Sequence, residues 1–491
     1  MSHSAIVEAV RAAAARRPEG IALAAPRGSV TYASLDRSAA SVASELAAIR
    51  EDIVGLLHPN SPGFAEGLLG ALWAGKTVAV LPWIAPAPLL KLMAAEAGLR
   101  TVLSAAELAP RAVEAGLSAL VARPPQERSG SSSGREPPLV PRALEAAVLL
   151  YTSGTTARPK AVALSERNLL ANAEGCRLAG DFTADDVMLA ILPLFHAFGL
   201  TVTLLLPLSL GGKVVLEDRF VPRTSLESVA AHHVSAMIGV PGQFRLLAKE
   251  SATVDTASLR LCIAGAERLG DHIGEAFEQR FSRPLLQGYG ATETAPVVSF
   301  NRPAQNRPGS VGLPLPNVRV SIREEDRELA AGEQGEVCVE GPNVMLGYYG
   351  QPTATAEKIR GGVLRSGDRG WLDADGYLHL AGRADDMLKV AGEKVYPAEV
   401  ERVLEHLPGV EEAAVVGVSD DARGITLAAF VVPRAGTTLD AGQLRAACAG
   451  VLEAAKIPRT FLPVEQIPRG LSGKVDKKAL IEAALSRPPG A

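Results

Sequence analysis

A hydroxyl-rich loop at residues 151–160, YTSGTTARPK, is the segment of this chain whose residue types are best suited to chemistry. Hydroxyl and backbone N–H groups donate to phosphate oxygens, glycine permits close backbone approach, and lysine adds a positive charge. The residues that could contact a polyphosphate are Thr152, Ser153, Gly154, Thr155, Thr156 and Lys160. The phosphate loop of nucleoside triphosphatases is a poor match, because Pro159 and Ala161 stand where that pattern has glycine and Ser/Thr. The loop therefore indicates nucleotide chemistry, with an ordinary Ser/Gly turn as the alternative.

The elements that position this loop are predicted from the alternation of short apolar runs with helical patterns. A stretch rich in Pro, Ser and Gly at 122–142 cannot bury an apolar face, and it is interpreted as an exposed connection before the loop's strand. Four strand-then-helix repeats follow, with helices expected near 198–210, 224–232, 241–250 and 269–281. This alternation predicts a layered α/β fold with mainly parallel strands.

The pattern changes after about residue 310, where shorter strands and Gly/Pro turns predict a small β subdomain. DADG at 373–376 predicts a turn. Beyond Arg383 the order hairpin, helix, strand, strand, helix, strand predicts a separate α+β lid. The expected fold class is α/β, with a large layered N-terminal domain (1–384) that includes the β subdomain, and a small mobile C-terminal lid (385–491).

The composition is typical of a large soluble enzyme. Of 491 residues, 47% are apolar, which is enough for sizeable cores in roughly two to four domains. The net charge is −4 and the isoelectric point is near 6.1, so the composition does not indicate a basic protein that binds nucleic acid or an anionic membrane. The four cysteines lie more than seventy residues apart, which favours a reducing cytoplasm over a disulfide framework or a clustered metal site.

Two further segments bear on targeting. The N-terminal twenty residues interrupt their apolar positions with charges, so they predict an amphipathic helix that ends near Pro18 and not a signal peptide. The longest apolar stretch, 200–210, is too short to span a bilayer and contains Pro207. The sequence therefore predicts no membrane span.

The loop at 151–160 resembles the phosphate-loop signature of the adenylate-forming superfamily, which contains acyl-CoA synthetases, the adenylation domains of nonribosomal peptide synthetases and beetle luciferases. Four more segments of that superfamily follow in order: LFHAFG (194–199), GYGATET (288–294), the segment 365–401 and PRGLSGKVDKKAL (468–480). The chain is identified by these five segments as a member, most similar to an acyl-CoA synthetase. It departs from the superfamily pattern at Ala157 and Ala161, where glycine is usual; a stiffer loop would affect rate more than reaction type.

The resemblance implies roles for the residues around the nucleotide. Forming an acyl adenylate brings a carboxylate against the α-phosphate of ATP, so the site must supply cations and donors. By resemblance Glu293 holds Mg²⁺, Thr292 reaches the α-phosphate and Tyr289 packs on adenine. The other implied cofactor-binding residues are Gly265, Ala266, Gly290, Asp368 and Arg383.

For four of these residues the chemistry is specific. Asp368 can accept hydrogen bonds from the two ribose hydroxyls, and Arg383 can donate two bonds to ribose or phosphate. Gly265 and Ala266 would leave backbone room beside the adenine and the acyl group. A turn aspartate and a surface arginine are the alternatives for the first pair.

The lid carries the remaining implied residues. Lys474, in the loop GLSGK, corresponds to the mobile lysine that bridges the carboxylate and the α-phosphate, so the lid must close for adenylation. Asp385 corresponds to the hinge about which the superfamily's lid rotates. Lys389 and Gly392 correspond to the second face of the lid, where glycine leaves width for a pantetheine arm.

Substrate identity is read from the segments expected to line the acyl pocket. His196 corresponds to the histidine that borders this pocket in many acyl-CoA synthetases, although beside Phe195 and Phe198 it could equally be a core residue. The pocket segments are mostly apolar, without an arginine for a dicarboxylate or the aspartate that pairs with an amino-acid ammonium. An apolar monocarboxylic acid is expected, a fatty acid in preference to an aryl acid.

The leading hypothesis is an ATP-dependent acyl-CoA synthetase of the cytoplasm that uses ATP, Mg²⁺ and coenzyme A. A close alternative transfers the acyl group to the phosphopantetheine arm of a separate acyl carrier protein. Two hypotheses of other classes are a luciferase-like oxygenase and a non-catalytic nucleotide-binding relative, the latter raised by Ala157 and Ala161. A non-catalytic protein would have little reason to keep together the four residues Glu293, Asp368, Arg383 and Lys474.

Overall fold

The fold was analysed in a computed structural model. It describes residues 4–121, 144–152, 159–390, 393–420, 424–469 and 475–486. The connection expected at 122–142 lies outside the described residues.

A nine-stranded sheet, mainly parallel, forms one half of the N-terminal domain. Its outer strands, at 297–300, 313–314 and 28–31, are antiparallel to their neighbours, and the strands between them are parallel. In spatial order the strands are β15 (Leu313–Pro314), β14 (Val297–Phe300), β13 (Leu285–Gly290), β12 (Leu261–Ala264), β11 (Ala236–Gly239), β9 (Val187–Ala190), β10 (Lys213–Leu216), β1 (Ile21–Ala25) and β2 (Gly28–Thr31).

A second sheet of seven strands forms the other half. Five of its strands are parallel, and two antiparallel strands lie at the edge that carries the hydroxyl-rich loop. Their order is β19 (Gly347–Tyr348), β8 (Lys160–Leu164), β7 (Val148–Thr152), β4 (Thr77–Val80), β3 (Ile53–Leu57), β5 (Thr101–Ser104) and β6 (Ser118–Val121).

Helices cover both faces of both sheets. The helices of this domain are α1 (Ala5–Arg16), α2 (Tyr32–Leu46), α3 (Pro62–Trp73), α4 (Ala87–Ala97), α5 (Ala109–Glu114), α6 (Glu166–Gly180), α7 (Leu206–Leu210), α8 (Pro222–His232), α9 (Pro241–Lys249), α10 (Asp271–Phe281) and α11 (Pro352–Lys358). The N-terminal helix ends at Arg16, close to the expected Pro18. The region expected as a helix near 198–210 is a π-helical turn, Gly199–Leu205, that continues into α7.

The packing is that of five layers, because adjacent strand residues enter different cores. Leu56 joins the central core, which also holds α1, α2, α3 and α6, whereas Leu57 faces the core under α4 and α5. In the nine-stranded sheet Met188 faces the same central core and Leu189 faces α8, α9 and α10. Successive residues of a strand point to opposite faces of the sheet, and both faces are buried here. The segments that form these strands are therefore apolar at successive positions.

The β subdomain expected after residue 310 is an antiparallel sheet. Its strands are β17 (Arg327–Glu328), β16 (Arg319–Glu324), β18 (Gly335–Glu340), β21 (Val363–Leu372) and β20 (Ile359–Arg360), with β22 (Leu378–Arg383) paired to β21. The turn expected at 373–376 connects β21 to β22, where the Gly376 N–H donates to the Asp373 carbonyl at 3.0 Å.

The smaller C-terminal domain has the expected order, followed by one more helix. Its elements are the hairpin β23 (Leu388–Val390) and β24 (Glu393–Val395), then α12 (Pro397–Glu405), β25 (Val410–Asp420), β26 (Gly424–Pro433), α13 (Ala441–Ala449), β27 (Thr460–Pro463) and α14 (Lys477–Leu485). Two apolar clusters on the two faces of β25–β27 form its own core.

The mixed α/β class with a large N-terminal and a small C-terminal domain is confirmed. The exact boundary at 384/385 stays a prediction. In the described parts of the chain, every helix is too short or too polar to cross a bilayer.

Gly312 directly precedes β15 of the nine-stranded sheet, and its carbonyl accepts from the Leu378 N–H of β22 at 3.0 Å. We expect Gly312→Ala to be strongly destabilising. Its φ is +84°, and an added Cβ would lie 2.0 Å from the Phe300 carbonyl carbon, so strain and a backbone clash combine. Gly309→Ala is the control, because φ is +80° there with nothing within 4 Å of the Cβ. The control should cost about 1 kcal/mol.

The two variants are compared by urea denaturation followed by tryptophan fluorescence, since Trp371 on β21 stacks on His379 at 5.0 Å. We expect the midpoint to fall far more for Gly312→Ala than for Gly309→Ala. Equal midpoints would contradict the close approach at Gly312.

Candidate active site

The predicted nucleotide residues lie on strands from all three sheets of the N-terminal domain, most of them at strand ends. Tyr289 is near the end of β13, Lys160 begins β8, and Asp368 and Arg383 are cross-strand partners on β21 and β22. The carboxyl ends of parallel strands are where open α/β sheets bind ligands. Two clusters of side chains result, joined by the short segment from Tyr289 to Glu293.

The first cluster contains Tyr289, Asp368 and Arg383. The Tyr289 hydroxyl donates to Asp368 Oδ2 at 2.6 Å, and Arg383 Nη1 is 3.5 Å from Asp368 Oδ1. Burial and the adjacent Asp368 carboxylate raise the pKa of Tyr289 well above its ordinary value, so this hydroxyl is a donor at neutral pH. The Asp368 side chain is only 14% exposed whereas that of Arg383 is 47% exposed. The arrangement fixes an aspartate acceptor and leaves an arginine donor accessible to ligand.

The second cluster contains Glu293, Tyr348 and Lys160. The Tyr348 hydroxyl donates to Glu293 Oε1 at 2.9 Å, and Lys160 Nζ lies 4.9 Å from the centre of the Tyr348 ring. Lys160 is paired in register with Thr152 across β7 and β8. Burial and the Glu293 carboxylate raise the pKa of Tyr348. Thus a lysine, a carboxylate and the base of the hydroxyl-rich loop are brought together.

The turn that carries Thr292 and Glu293 is held by asparagines from outside it. Asn172 on α6 is fully buried; its Nδ2 donates to the carbonyls of Thr294 at 3.2 Å and Val297 at 2.7 Å. Its Oδ1 accepts from the Val297 N–H at 3.2 Å. Asn343 Nδ2 donates to the same Thr294 carbonyl at 2.9 Å. These bonds position the Glu293 backbone from the core of the molecule.

Two glycines in the site have no space for a side chain. An added Cβ at Gly290 would lie 2.2 Å from the Pro296 carbonyl oxygen, so this glycine allows the turn to close on β14. At Gly265 a Cβ would lie 2.6 Å from Phe198 Cε1, so the room expected there is filled by an aromatic ring. Ala266 follows with φ of +69°, which turns the chain away from the end of β12.

His196 and the C-terminal residues are placed differently. His196 is partly buried next to Phe195, with ring centres 4.5 Å apart. Lys389 and Asp385 are exposed, and Asp385 belongs to a 3₁₀ turn, Ala384–Asp386, that follows β22. The predicted residues that lie outside the described parts of the chain are Ser153, Gly154, Thr155, Thr156, Gly392 and Lys474, together with Ala157.

Sequence reasoning missed the residues that connect the clusters. Tyr348 and Asn172 lie on elements distant in sequence from the segments they contact. A signal for Tyr348 was present, because the segment LGYYG brackets two tyrosines with glycines just before α11. For Asn172 the signal was weaker: a polar residue on the apolar side of a helix, which needs a buried partner.

The surroundings of Glu293 are compatible with the magnesium-binding role that the resemblance predicts for it. Mg²⁺ in nucleotide sites is usually held by one or two carboxylates together with substrate phosphates and waters. The described residues contain no group of three His, Cys, Asp or Glu side chains that could hold a metal. A single carboxylate beside a lysine therefore fits a magnesium ion that is shared with the phosphates of ATP.

The fold and the paired strand-end clusters define an α/β nucleotide-binding enzyme with a small C-terminal domain. The family model for AMP-binding enzymes matches residues 10–349, and that for the C-terminal domain of these enzymes matches residues 399–474. The chain belongs to the AMP-binding enzyme family.

Relatives agree with this family over nearly the whole chain. A feruloyl-CoA synthase from an Amycolatopsis species is 35% identical over 457 residues, which cover 91% of this chain and 92% of the relative. A long-chain-fatty-acid–CoA ligase from Bacillus subtilis is 35% identical over 343 residues, or 68% of this chain and 61% of the relative. The crystal structure of ATP-bound MatB from Rhodopseudomonas palustris superimposes with a TM-score of 0.90 at 28% identity, covering 99% of each chain.

The predicted reaction class is confirmed: the chain is an AMP-forming acyl-CoA ligase. ATP and CoA are the cosubstrates of this class.

Removing the Tyr289 hydroxyl is expected to weaken ATP binding. Tyr289→Phe deletes the hydrogen bond that fixes Asp368, and hydrogen bonds to charged groups contribute about 1.5–3 kcal/mol, so KM for ATP should rise about tenfold or more. Tyr377→Phe is the matched control, because it deletes a hydrogen bond to the Gln305 carbonyl outside both clusters. Steady-state kinetics with varied ATP compare the two, and equal KM values would refute this role of Tyr289.

Asn172→Ala is expected to lower turnover because it releases the Glu293 turn. The substitution removes the bond from the Val297 N–H and one of the two side-chain bonds to each of the Thr294 and Val297 carbonyls, which keep Asn343 as a donor, at a cost of about 1–3 kcal/mol of stability. The control is Asn301→Ala, which loses bonds to the Arg307 N–H and the Ser310 carbonyl in another loop.

Both asparagine variants should lose similar stability in urea, but only Asn172→Ala should also lose most of its kcat for ATP–pyrophosphate exchange. If kcat falls equally in both variants, Asn172 is a stability residue and not a positioning residue.

Proposed function

We propose that this ligase activates an apolar monocarboxylic acid, preferably a fatty acid, as acyl-AMP with release of pyrophosphate. It then transfers the acyl group to the thiol of coenzyme A. The observation that carries the substrate class is the apolar character of the surroundings of Gly265 and Gly288, combined with the ion pairs of Arg268, which follows Gly265, and of Arg245 on α9.

The apolar character is visible in the closest contacts of the two glycines. Phe198 lies against Gly265, while Ile263 and Phe300 lie against Gly288. The polar side chain of Gln243 is used by the backbone, since its Oε1 accepts from the Val240 N–H and its Nε2 donates to the Ile191 carbonyl. Alkyl or aryl groups are the ligand parts that such surroundings accept.

Two nearby arginines are already compensated by carboxylates. Arg245 on α9 is 3.0 Å from Glu411, and Arg268 pairs with Glu405. A second carboxylate or a free ammonium on the substrate would lose its hydration without gaining a partner, at a cost of several kcal/mol. These pairs support a substrate with one carboxylate and an uncharged body.

The nucleotide roles follow from the two clusters. Asp368, oriented by Tyr289, would accept from the ribose hydroxyls, while Arg383 would donate to ribose or phosphate. Thr152 and Lys160, with the loop between them, would hold the phosphates, and Thr292 would donate to the α-phosphate. Magnesium at Glu293 would neutralise phosphate charge. The substrate carboxylate oxygen then attacks the α-phosphorus and pyrophosphate leaves.

The C-terminal domain would complete both half-reactions. Lys474 would bridge the carboxylate and the α-phosphate during adenylation. Rotation about Asp385 would then present Lys389 and Gly392 to the pantetheine arm, whose thiol attacks the acyl carbonyl and displaces AMP. Coenzyme A is the proposed acceptor, with a separate carrier protein as the alternative. The cytoplasm is the proposed compartment, supported by four free, buried cysteines.

An aryl acid is the second candidate. It is favoured by the Phe198 ring beside Gly265 and by the feruloyl-CoA synthase that matches 91% of this chain. An aromatic substrate could stack on such a ring, which adds about 0.5–1.5 kcal/mol to its area burial.

The test is ATP–pyrophosphate exchange across a panel of acids from acetate to medium-chain alkanoates, with ferulate, benzoate, glycine and malonate. Each added methylene should raise kcat/KM, by an amount equivalent to a free-energy gain of about 0.8 kcal/mol, until the pocket is full. The highest exchange with glycine or malonate would overturn the substrate class. An aryl acid that exceeds every alkanoate would leave the class intact and replace the fatty acid by the second candidate.

A further inference from the structure

The contact between the two domains includes a cluster of ion pairs. On the N-terminal side the charged residues lie on α9, in the segment after β12 and at the start of α10. On the C-terminal side they lie at the end of α12, at the start of β25 and in the segment between β27 and α14. The pairs are Arg245–Glu411 at 3.0 Å, Lys249–Glu411 at 2.6 Å, His406–Asp271 at 2.8 Å, Arg469–Glu267 at 2.7 Å, and Arg268–Glu405. Polar interfaces of this kind can separate and re-form more readily than apolar ones.

Arg469 donates hydrogen bonds to a carboxylate of each domain. Its Nη1 donates to both carboxylate oxygens of Glu267, at 2.7 and 2.8 Å, while its Nη2 donates to Glu412 Oε1 at 2.7 Å. The Glu267 and Glu412 side chains are only 17% and 16% exposed. The Arg469 side chain is 30% exposed, so the pair is partly open to solvent. Hydrogen bonds between two charged groups are shorter and stronger than those between neutral groups.

The location of this pair links it to catalysis. Glu267 directly follows Gly265 and Ala266, which adjoin Phe198 at the end of β12. Arg469 forms an antiparallel bridge with Val475, and the Asp476 N–H donates to the Pro468 carbonyl at 2.8 Å. Both ends of the segment that contains Lys474 are therefore fixed close to Glu267, although residues 470–474 themselves lie outside the described parts.

We propose that Arg469 and Glu267 form an interdomain latch that positions the C-terminal domain for adenylate formation and must open before thioester formation. This inference rests on the proposed function of Lys474 and of the rotating domain. Arg469 is a positioning residue, since it acts through the location of its neighbours in the chain. The latch would favour the first half-reaction at the expense of the second.

The test uses the full-length enzyme and measures the two half-reactions separately. Glu267→Gln and Arg469→Gln should each lower kcat for ATP–pyrophosphate exchange about tenfold, with KM for ATP little changed. Thioester formation from supplied acyl adenylate and CoA should be unchanged or faster. The double variant should be no slower in exchange than either single variant, because paired residues show non-additive effects.

Arg319→Gln provides the matched control. Arg319 is 2.7 Å from Glu328 within the β subdomain, so its loss removes an arginine–glutamate pair without affecting the domain contact. Exchange should be normal in this variant. Raising the salt concentration should reduce exchange in the wild type more than in the double variant, because screening weakens only a pair that is present.

The possible failures can be told apart. If both half-reactions fall together, or if the two single effects multiply in the double variant, the latch is wrong. The latch is also wrong if neither Glu267→Gln nor Arg469→Gln changes exchange while Lys474→Ala lowers exchange about 100-fold. If Lys474→Ala itself leaves exchange normal, the proposed role of Lys474 is wrong and the latch, which depends on it, is overturned too.

Discussion

The hydrogen bonds that hold the turn after β13 are the constraint on which the active site depends. The strand register shifts between Tyr289 and Gly290, so the backbone groups of the turn cannot all be satisfied by strand pairing. Asn172 supplies the missing partners from α6, a helix packed between the two large sheets. Because buried backbone groups must be paired, the position of Glu293 is set by the packing of the central core.

From that turn the two clusters extend in opposite directions. Tyr289 reaches the β subdomain through Asp368, and Glu293 reaches the edge of the seven-stranded sheet through Tyr348. Both tyrosines are held protonated by burial and by a neighbouring carboxylate, which raise their pKa values. The donors and acceptors are thus oriented by contacts within the protein, which is the condition for strong electrostatic stabilisation of a transition state.

Apolar contacts stabilise each domain internally, whereas ion pairs contribute to the contact between the domains. Each has apolar clusters of its own, including those on both faces of β25–β27 in the smaller domain. Between them lie the ion pairs around Arg469 and Arg245, whose strength depends on salt and on partner geometry. A separate core in each domain and a polar interface between them are compatible with the proposed rotation of the smaller domain.

The sequence by itself determined the fold class, the order of elements and the reaction class. Local periodicity suffices for the fold class and the order of elements, because strands buried on both faces are continuously apolar. The reaction class came instead from the resemblance of short segments, such as those around Lys160 and Glu293, to those of the adenylate-forming superfamily. The helices expected after each strand of the larger sheet were found close to the expected bounds, with a π-helical turn at Gly199–Leu205 as the one local departure among them.

Only the tertiary structure decided which residues support those motifs. Asn172 and Val297 lie 125 residues apart, and Tyr348 contacts Glu293 only because β19 pairs with β8. The space at Gly265 is filled by Phe198 from another strand-end segment, which the glycine alone did not reveal. Such contacts arise from the packing of layers. A local pattern in a single sequence does not show which segments, distant along the chain, come into contact.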